Sequence, residues 1–237
     1  MSTYVLIHGA WHGGWCWEKV VPLLEQAGHK VEALDLPGHG KDKTPIPEIS
    51  LQAYADSVCR VLDAQSEPVV LVGHSMGGVV ISQAAENRPE KIRTLVYVCA
   101  FLLRSGESLL QLAEGDTESS ALPNLITAED ESYITVRDEA IKELFYGDCA
   151  DEDVRRAKSL LVPQAAAPFA TPVNTTDEDF GRIPRVYIQC LRDRAISPSL
   201  QKRMYTALPC HRVISMDTSH SPFLSAPEEL ARHLMSL

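Results

Sequence analysis

The chain has 237 residues, of which 23% are charged and 45% hydrophobic, and a formal net charge of −10. That length gives one domain with a full core, or one domain carrying an insertion. The acidic balance argues against a nucleic-acid partner and against docking on anionic membranes. No apolar stretch approaches the ~18 residues of a membrane span, and no charged-then-apolar leader precedes the first strand pattern, so a cytoplasmic location is expected. The six cysteines (Cys16, Cys59, Cys99, Cys149, Cys190 and Cys210) show no C-x-x-C spacing. Most sit in apolar runs and read as buried, reduced thiols.

Taken in chain order, apolar segments predict strands at 4–8, 30–36, 69–72, 94–100, 185–191 and 212–216. Helical patterns lie between most of them, at 15–27, 51–64, 76–86 and 198–207, with a last one at 227–237. Strands alternating with helices predict an α/β fold, a mostly parallel sheet with helices on both faces. Near-continuous Val, Leu and Ile in the strands fits burial on both sides. The alternation breaks after Phe101 and resumes near Arg185, and the intervening sequence holds helical patterns at 105–112, 138–144 and 151–161. A structureless loop of that length is improbable in a compact domain. The prediction is therefore one domain, 1–237, with 102–183 as an inserted helical cap on a core of 1–101 plus 184–237. Such a cap would cover the strand ends where open α/β sheets bind ligands.

The most informative stretch is Gly73-His74-Ser75-Met76-Gly77, entered from an apolar strand and left through a helical run. A Ser on so sharp a turn is forced into a strained conformation that exposes its hydroxyl, and glycines are needed where side chains would collide. Ser75 is the predicted nucleophile. A Ser hydroxyl needs a base within hydrogen-bond reach. His220 follows the last strand and so sits at the same sheet edge, whereas His211 and His29 precede strands and fall at the opposite edge. Asp193 closes the strand at 185–191 and gives the order Ser…Asp…His. Asp217, on the His220 loop, and Asp35, after the second strand, compete for that role. The oxyanion hole needs two N–H donors aimed at one point. Met76 N–H at the helix start and Ala10 N–H in the loop after the first strand are the candidates. No His/Cys/Glu set completes a metal site, and without a G-x-G-x-x-G or P-loop neither nucleotide nor flavin is implied, so no cofactor is expected.

Together these residues resemble the plant methylesterase and hydroxynitrile lyase family. The likeness is carried by Val5-Leu6-Ile7-His8-Gly9-Ala10-Trp11-His12-Gly13-Gly14-Trp15, by Leu34-Asp35-Leu36-Pro37-Gly38-His39-Gly40 and by the elbow. It continues into the insertion at Leu144-Phe145-Tyr146 and Leu160-Leu161-Val162-Pro163-Gln164. The resemblance implies an α/β-hydrolase fold and a frequent homodimer. The family's lyases carry Thr after the first-strand His, Lys after the catalytic His and commonly Glu before the nucleophile; here those positions hold Gly9, Ser221 and His74. All three departures point to an esterase. The plant esterases often have Met where Ser221 stands, and the segment Thr218-Ser219-His220-Ser221-Pro222 looks more like bacterial relatives.

The expectation is a cofactor-free serine carboxylesterase acting on small, fairly apolar esters through an acyl-enzyme. Gly9, Trp11, Phe101, Leu102, Phe145, Phe169 and Ser221 are the candidate pocket residues. A lactonase or thioesterase would use the same triad, a hydroxynitrile lyase would lack a cation beside its base, and a slow-turnover ligand sensor would keep the fold.

Overall fold

Nine strands form in the computed structural model, which describes residues 1–237. They are β1 (Thr3–Ile7), β2 (Lys30–Leu34), β3 (Val69–His74), β4 (Ile92–Val98), β5 (Leu125–Thr127), β6 (Tyr133–Val136), β7 (Gln164–Ala165), β8 (Arg185–Cys190) and β9 (Arg212–Met216). The main sheet is parallel throughout, in the order β2-β1-β3-β4-β8-β9. β3 lies between β1 and β4 and is buried at all six positions, which fits its opening run Val69–Val72, continuously apolar rather than alternating. From β1 the chain steps outward to β2 and then returns past β1 to β3. Loops leaving the carboxyl ends of β1 and β3 therefore diverge and leave a crevice between them.

Ten helices surround the sheets: α1 (Val21–Gln26), α2 (Leu51–Asp63), α3 (Gly77–Asn87), α4 (Leu109–Glu114), α5 (Ile141–Phe145), α6 (Asp151–Leu160), α7 (Ala167–Ala170), α8 (Pro198–Ala207), α9 (Pro222–Ser225) and α10 (Pro227–Met235). α3 is buried from Gly77 to Ala85, and its buried polar side chains, Ser82 and Gln83, are hydrogen-bonded to Gly78 O, the Tyr97 hydroxyl and Asn174 O. α2 shows one apolar face instead (Leu51, Tyr54, Val58 and Leu62), and its Ser50 cap accepts from Ala53 N–H. The helix expected at 15–27 divides into a 3₁₀ turn, Gly14–Trp17, and α1, because Pro22 lacks the N–H a continuous helix would need. No helix is long and apolar enough to cross a membrane.

Between β4 and β8 the chain forms α4, α5 and α6 within or overlapping the three expected helical patterns, and also the short helix α7 and a three-stranded antiparallel sheet, β5-β6-β7, that sequence reading missed. Its strands are two to four residues long, too short for a period to declare itself. The β-branched pairs Ile126-Thr127 and Ile134-Thr135 around a polar turn were the available signal.

Buried histidines tie this segment and the crevice loops together. His8 Nδ1–H donates to Gly9 O (2.7 Å) while its Nε2 accepts from Leu36 N–H (3.1 Å). His12 Nδ1–H donates to Ala10 O (2.8 Å), and its Nε2 accepts from Tyr146 O–H (2.7 Å). His39 reaches Gln164 Oε1 of β7 at 3.1 Å. Trp11 adds a fourth tie, donating from Nε1 to Ile134 O (2.8 Å) and accepting Val162 N–H at its carbonyl (3.0 Å).

Burial lowers the pKa of His39, drives those of His8 and His74 well below the ordinary value, and brings His12 to about 4. In the unfolded chain the same imidazoles titrate near 6.5. Below that pH the unfolded chain binds protons that the folded one refuses, so stability falls as pH drops from about 6.5 toward about 4. Urea unfolding at pH 7, 6 and 5 should show this loss. His12→Gln should flatten its slope by up to about 1.4 kcal/mol per pH unit, the contribution of one proton. Equal slopes in the two proteins would contradict the assignment.

Candidate active site

The turn after β3 is set by steric exclusion. Ser75 adopts φ 54°, in the left-handed region that costs a β-carbon-bearing residue about 1–2 kcal/mol. Its carbonyl accepts from Gly78 N–H (3.0 Å) and Phe101 N–H (3.1 Å), which hold the strained residue in place. A Cβ on Gly73 would stand 2.6 Å from Gly77 O, one on Gly77 2.7 Å from His8 O, and one on Gly78 2.3 Å from Phe101 O. All three contacts are with backbone, which cannot yield cheaply. The elbow therefore packs directly on the chain leaving β1 and β4.

The same turn brings the β3 end to the loop after β9. His74 Nε2–H donates to His220 O (2.8 Å), and the two rings lie 4.6 Å apart at their centroids. His220 Nδ1–H donates to Asp193 Oδ2 at 2.7 Å, with both side chains almost wholly buried. That bond fixes the tautomer and leaves Nε2 as the basic nitrogen. Ser75 Oγ and His220 Nε2 are not hydrogen-bonded to each other in this structure, nor to any other group of the protein. Asp193 accepts further donors: Ala195 N–H (2.8 Å) and Ile196 N–H (2.9 Å) on Oδ1, and Gln201 Nε2–H (3.1 Å) on Oδ2. The buried carboxylate is thus matched by hydrogen bonds rather than by a cation. Gln201, one turn into α8, is a supporting residue that sequence reading missed, since nothing local marks which face of α8 meets Asp193.

The competing carboxylates are engaged elsewhere. Asp217 is exposed and pairs with Arg192 (3.0 Å). Asp35 accepts from Gly14 N–H (2.6 Å) and Lys41 N–H (3.0 Å), bracing the loops after β1 and β2. Arg194 pairs with Glu143 (2.6 Å), so neither flanking arginine neutralises Asp193. The backbone amides of Ala10 and Met76 donate to no group of the protein, and both residues border the cavity that Ser75 opens into. His74, Cys99 and His220 form one buried cluster of possible metal donors. His74 Nε2–H and Cys99 Sγ–H (3.3 Å) both point at His220 O, so this cluster fastens a loop.

The cavity is narrow, about 50 Å³, and 14 of its 15 lining residues are hydrophobic. Trp11, Phe101, Phe145 and Phe169 lie in its wall, and Leu109, Leu110, Leu122 and Leu125 close it from the segment between β4 and β8. A larger depression of about 820 Å³, lined by Lys142, Glu143, Arg192 and Arg194, touches Asp193 from outside and holds no part of the elbow.

Three expected pocket residues lie elsewhere. Gly9 is packed against the elbow: a Cβ there would be 2.7 Å from Ser75 Cβ and 2.9 Å from His74 Nδ1, so its smallness serves close approach and not acyl room. Leu102 faces a separate surface depression with Arg203 and Met204, because the chain turns outward after Phe101. Ser221 is fully buried, and its Oγ contacts neither the cavity nor a hydrogen-bond partner.

The alpha/beta hydrolase family profile matches residues 4–233. A pyrethroid hydrolase of Sphingobium wenxiniae is 34% identical, the alignment covering 98% of this chain and 85% of that one. Methylesterase 2 of Arabidopsis thaliana is also 34% identical, over 99% of this chain and 95% of its own. The crystal structure of polyneuridine aldehyde esterase superposes with a TM-score of 0.90 at 28% identity, covering 100% of this chain and 98% of that one. With fold, elbow and full-length similarity in agreement, the chain belongs to the alpha/beta hydrolase family, as an ester hydrolase of its methylesterase-like branch.

Proposed function

We propose that the chain is a serine carboxylesterase that cleaves small, apolar carboxylic esters through an acyl-enzyme, with residues 102–183 serving as its cap. The observation that carries this reading is the His220 Nδ1–Asp193 Oδ2 bond of 2.7 Å beside a strained Ser75 that opens into an apolar cavity. In this reading His220 Nε2 takes the Ser75 proton as Oγ attacks the ester carbonyl. The imidazolium so formed is stabilised by Asp193, whose other donors keep it in place. The free amides of Ala10 and Met76 receive the oxyanion. His220 then protonates the departing alkoxide, and a water activated by the same nitrogen releases the acid.

The wall chemistry supports an apolar substrate. With almost no polar side chain in the cavity, a charged group on the substrate would lose its hydration without replacement. An ester is neutral on entry and its acid product is ionised, so the wall favours binding of the first and release of the second. The lyase alternative lacks a cation at the base: position 221 is a buried Ser, and Arg192 is turned toward Asp148 and Asp217. A cyanide leaving group would have nothing to hold it.

Ser75→Ala should lower p-nitrophenyl acetate hydrolysis by about 10³-fold or more with folding intact. Retention of a tenth of the activity would sink the nucleophile assignment. Asp193→Asn should be far more damaging than Asp217→Asn or Asp35→Asn, because only Asp193 sets the imidazole tautomer. A reversed ranking in steady-state rates would move the acid to another loop. Incubation with mandelonitrile should release cyanide no faster than buffer, and release abolished by Ser75→Ala would overturn the esterase reading in favour of a lyase.

A further inference from the structure

The loop carrying His220 is gripped from two sides. On the elbow side, His74 and Cys99 hold the His220 carbonyl. On the outer side Asp148 holds the preceding residue: Oδ2 accepts from Ser219 N–H (2.9 Å) and Oδ1 from the Ser219 hydroxyl. Arg192 Nη2 meets the same carboxylate at 3.3 Å and also donates to Asp217 O (2.5 Å), while Arg192 N–H donates to Thr218 O (3.0 Å). Ser219 is buried, and the Asp148 side chain is only 13% exposed.

Asp148 does not belong to the sheet that carries the triad. It lies between α5 and α6, three residues after Phe145, whose ring borders the cavity and lies 5.8 Å from the His220 ring. The residue adjoining the base is thus fastened to the segment that closes the substrate cavity. Without Asp148, two donors of Ser219 lose their acceptors, and the loop around Ser219 is left with anchors at the Asp217, Thr218 and His220 carbonyls and none at Ser219 itself. The imidazole would then be free to tilt about the His220 carbonyl, and small misplacement of a catalytic group is costly.

We propose that Asp148 is a positioning residue for His220, locking Ser219 and through it the imidazole to the segment over the cavity. This rests on His220 being the base. The requirement is for two hydrogen bonds to Ser219 rather than for charge. An Asn in the same place would accept from Ser219 N–H through its oxygen and donate from its amide to the Ser219 hydroxyl, which can turn to accept.

The test compares wild type, Asp148→Ala and Asp148→Asn by ester kinetics normalised to active sites titrated with a p-nitrophenyl phosphonate, with the phosphonylation rate as a second readout. Asp148→Ala should lower kcat per site about tenfold or more and slow phosphonylation by a similar factor, with KM within about twofold, as misplacement of a catalytic group predicts. Asp148→Asn should stay within about threefold of wild type on both. An unchanged kcat per site in Asp148→Ala, or a loss carried by KM alone, would overturn the proposal, as would an Asn variant as slow as the Ala variant. If Asp148→Ala does not fold, Ser219→Ala must lower kcat per site about threefold, since it removes one of the two bonds; an unchanged rate would overturn the proposal equally. His220→Ala is run alongside. Its inactivity beside an unaffected Asp148→Ala refutes only the positioning role, whereas persistent activity in His220→Ala refutes the base itself.

Discussion

The rest of the site depends on how little room there is around Ser75. Gly73, Gly77 and Gly78 each face backbone at distances no Cβ tolerates, and Gly9 faces the Cβ of Ser75 itself. This absence of side chains lets the ends of β1, β3 and β4 converge on one residue and holds it at φ 54°. Strain there is offset by a core in which β3 and α3 from Gly77 to Ala85 are buried. The hydroxyl and the two free amides are then neighbours through backbone geometry, and the His74 and Cys99 side chains draw the histidine loop to them.

Electrostatics follow from the same packing. Four buried histidines surround the crevice, and each is kept neutral by burial. His8, His12 and His39 act as two-ended hydrogen-bond links between loops, and His74 holds the His220 carbonyl through Nε2 alone. Asp193 is the one buried carboxylate in contact with an imidazole, and four donors meet it. A neutral surround with a single oriented negative charge suits the proposed role of His220 as a base that becomes cationic once per turnover. The apolar cavity excludes water from the other side, so that charge acts at low screening.

What was legible in the sequence was what local pattern encodes. β9 and α8 lie where the apolar and helical runs put them, and the strained Ser on its glycine turn was visible in the elbow pentapeptide. Chain order and sheet edge were enough to single out Asp193 and His220, which the structure joins at 2.7 Å. Gln201 and Asp148 were not legible, because one reaches Asp193 and the other Ser219 across the fold, from elements with no catalytic motif. Gly9 and Ser221 were misplaced for a related reason: neighbourhood in sequence to a site residue says nothing about which side of the loop faces the cavity. The sheet β5-β6-β7 escaped notice because its strands are shorter than the period that identifies strands.

The central claim is that ester cleavage passes through a covalent bond to Ser75. Turnover of p-nitrophenyl acetate, quenched in acid within the first enzyme cycles and examined by intact mass and peptide mapping, tests it most directly. The account predicts one acetyl group per chain, confined to the peptide that contains Ser75 and absent from Ser75→Ala. Hydrolysis that proceeds with no acyl group on that peptide, or with the group on another residue, would contradict it.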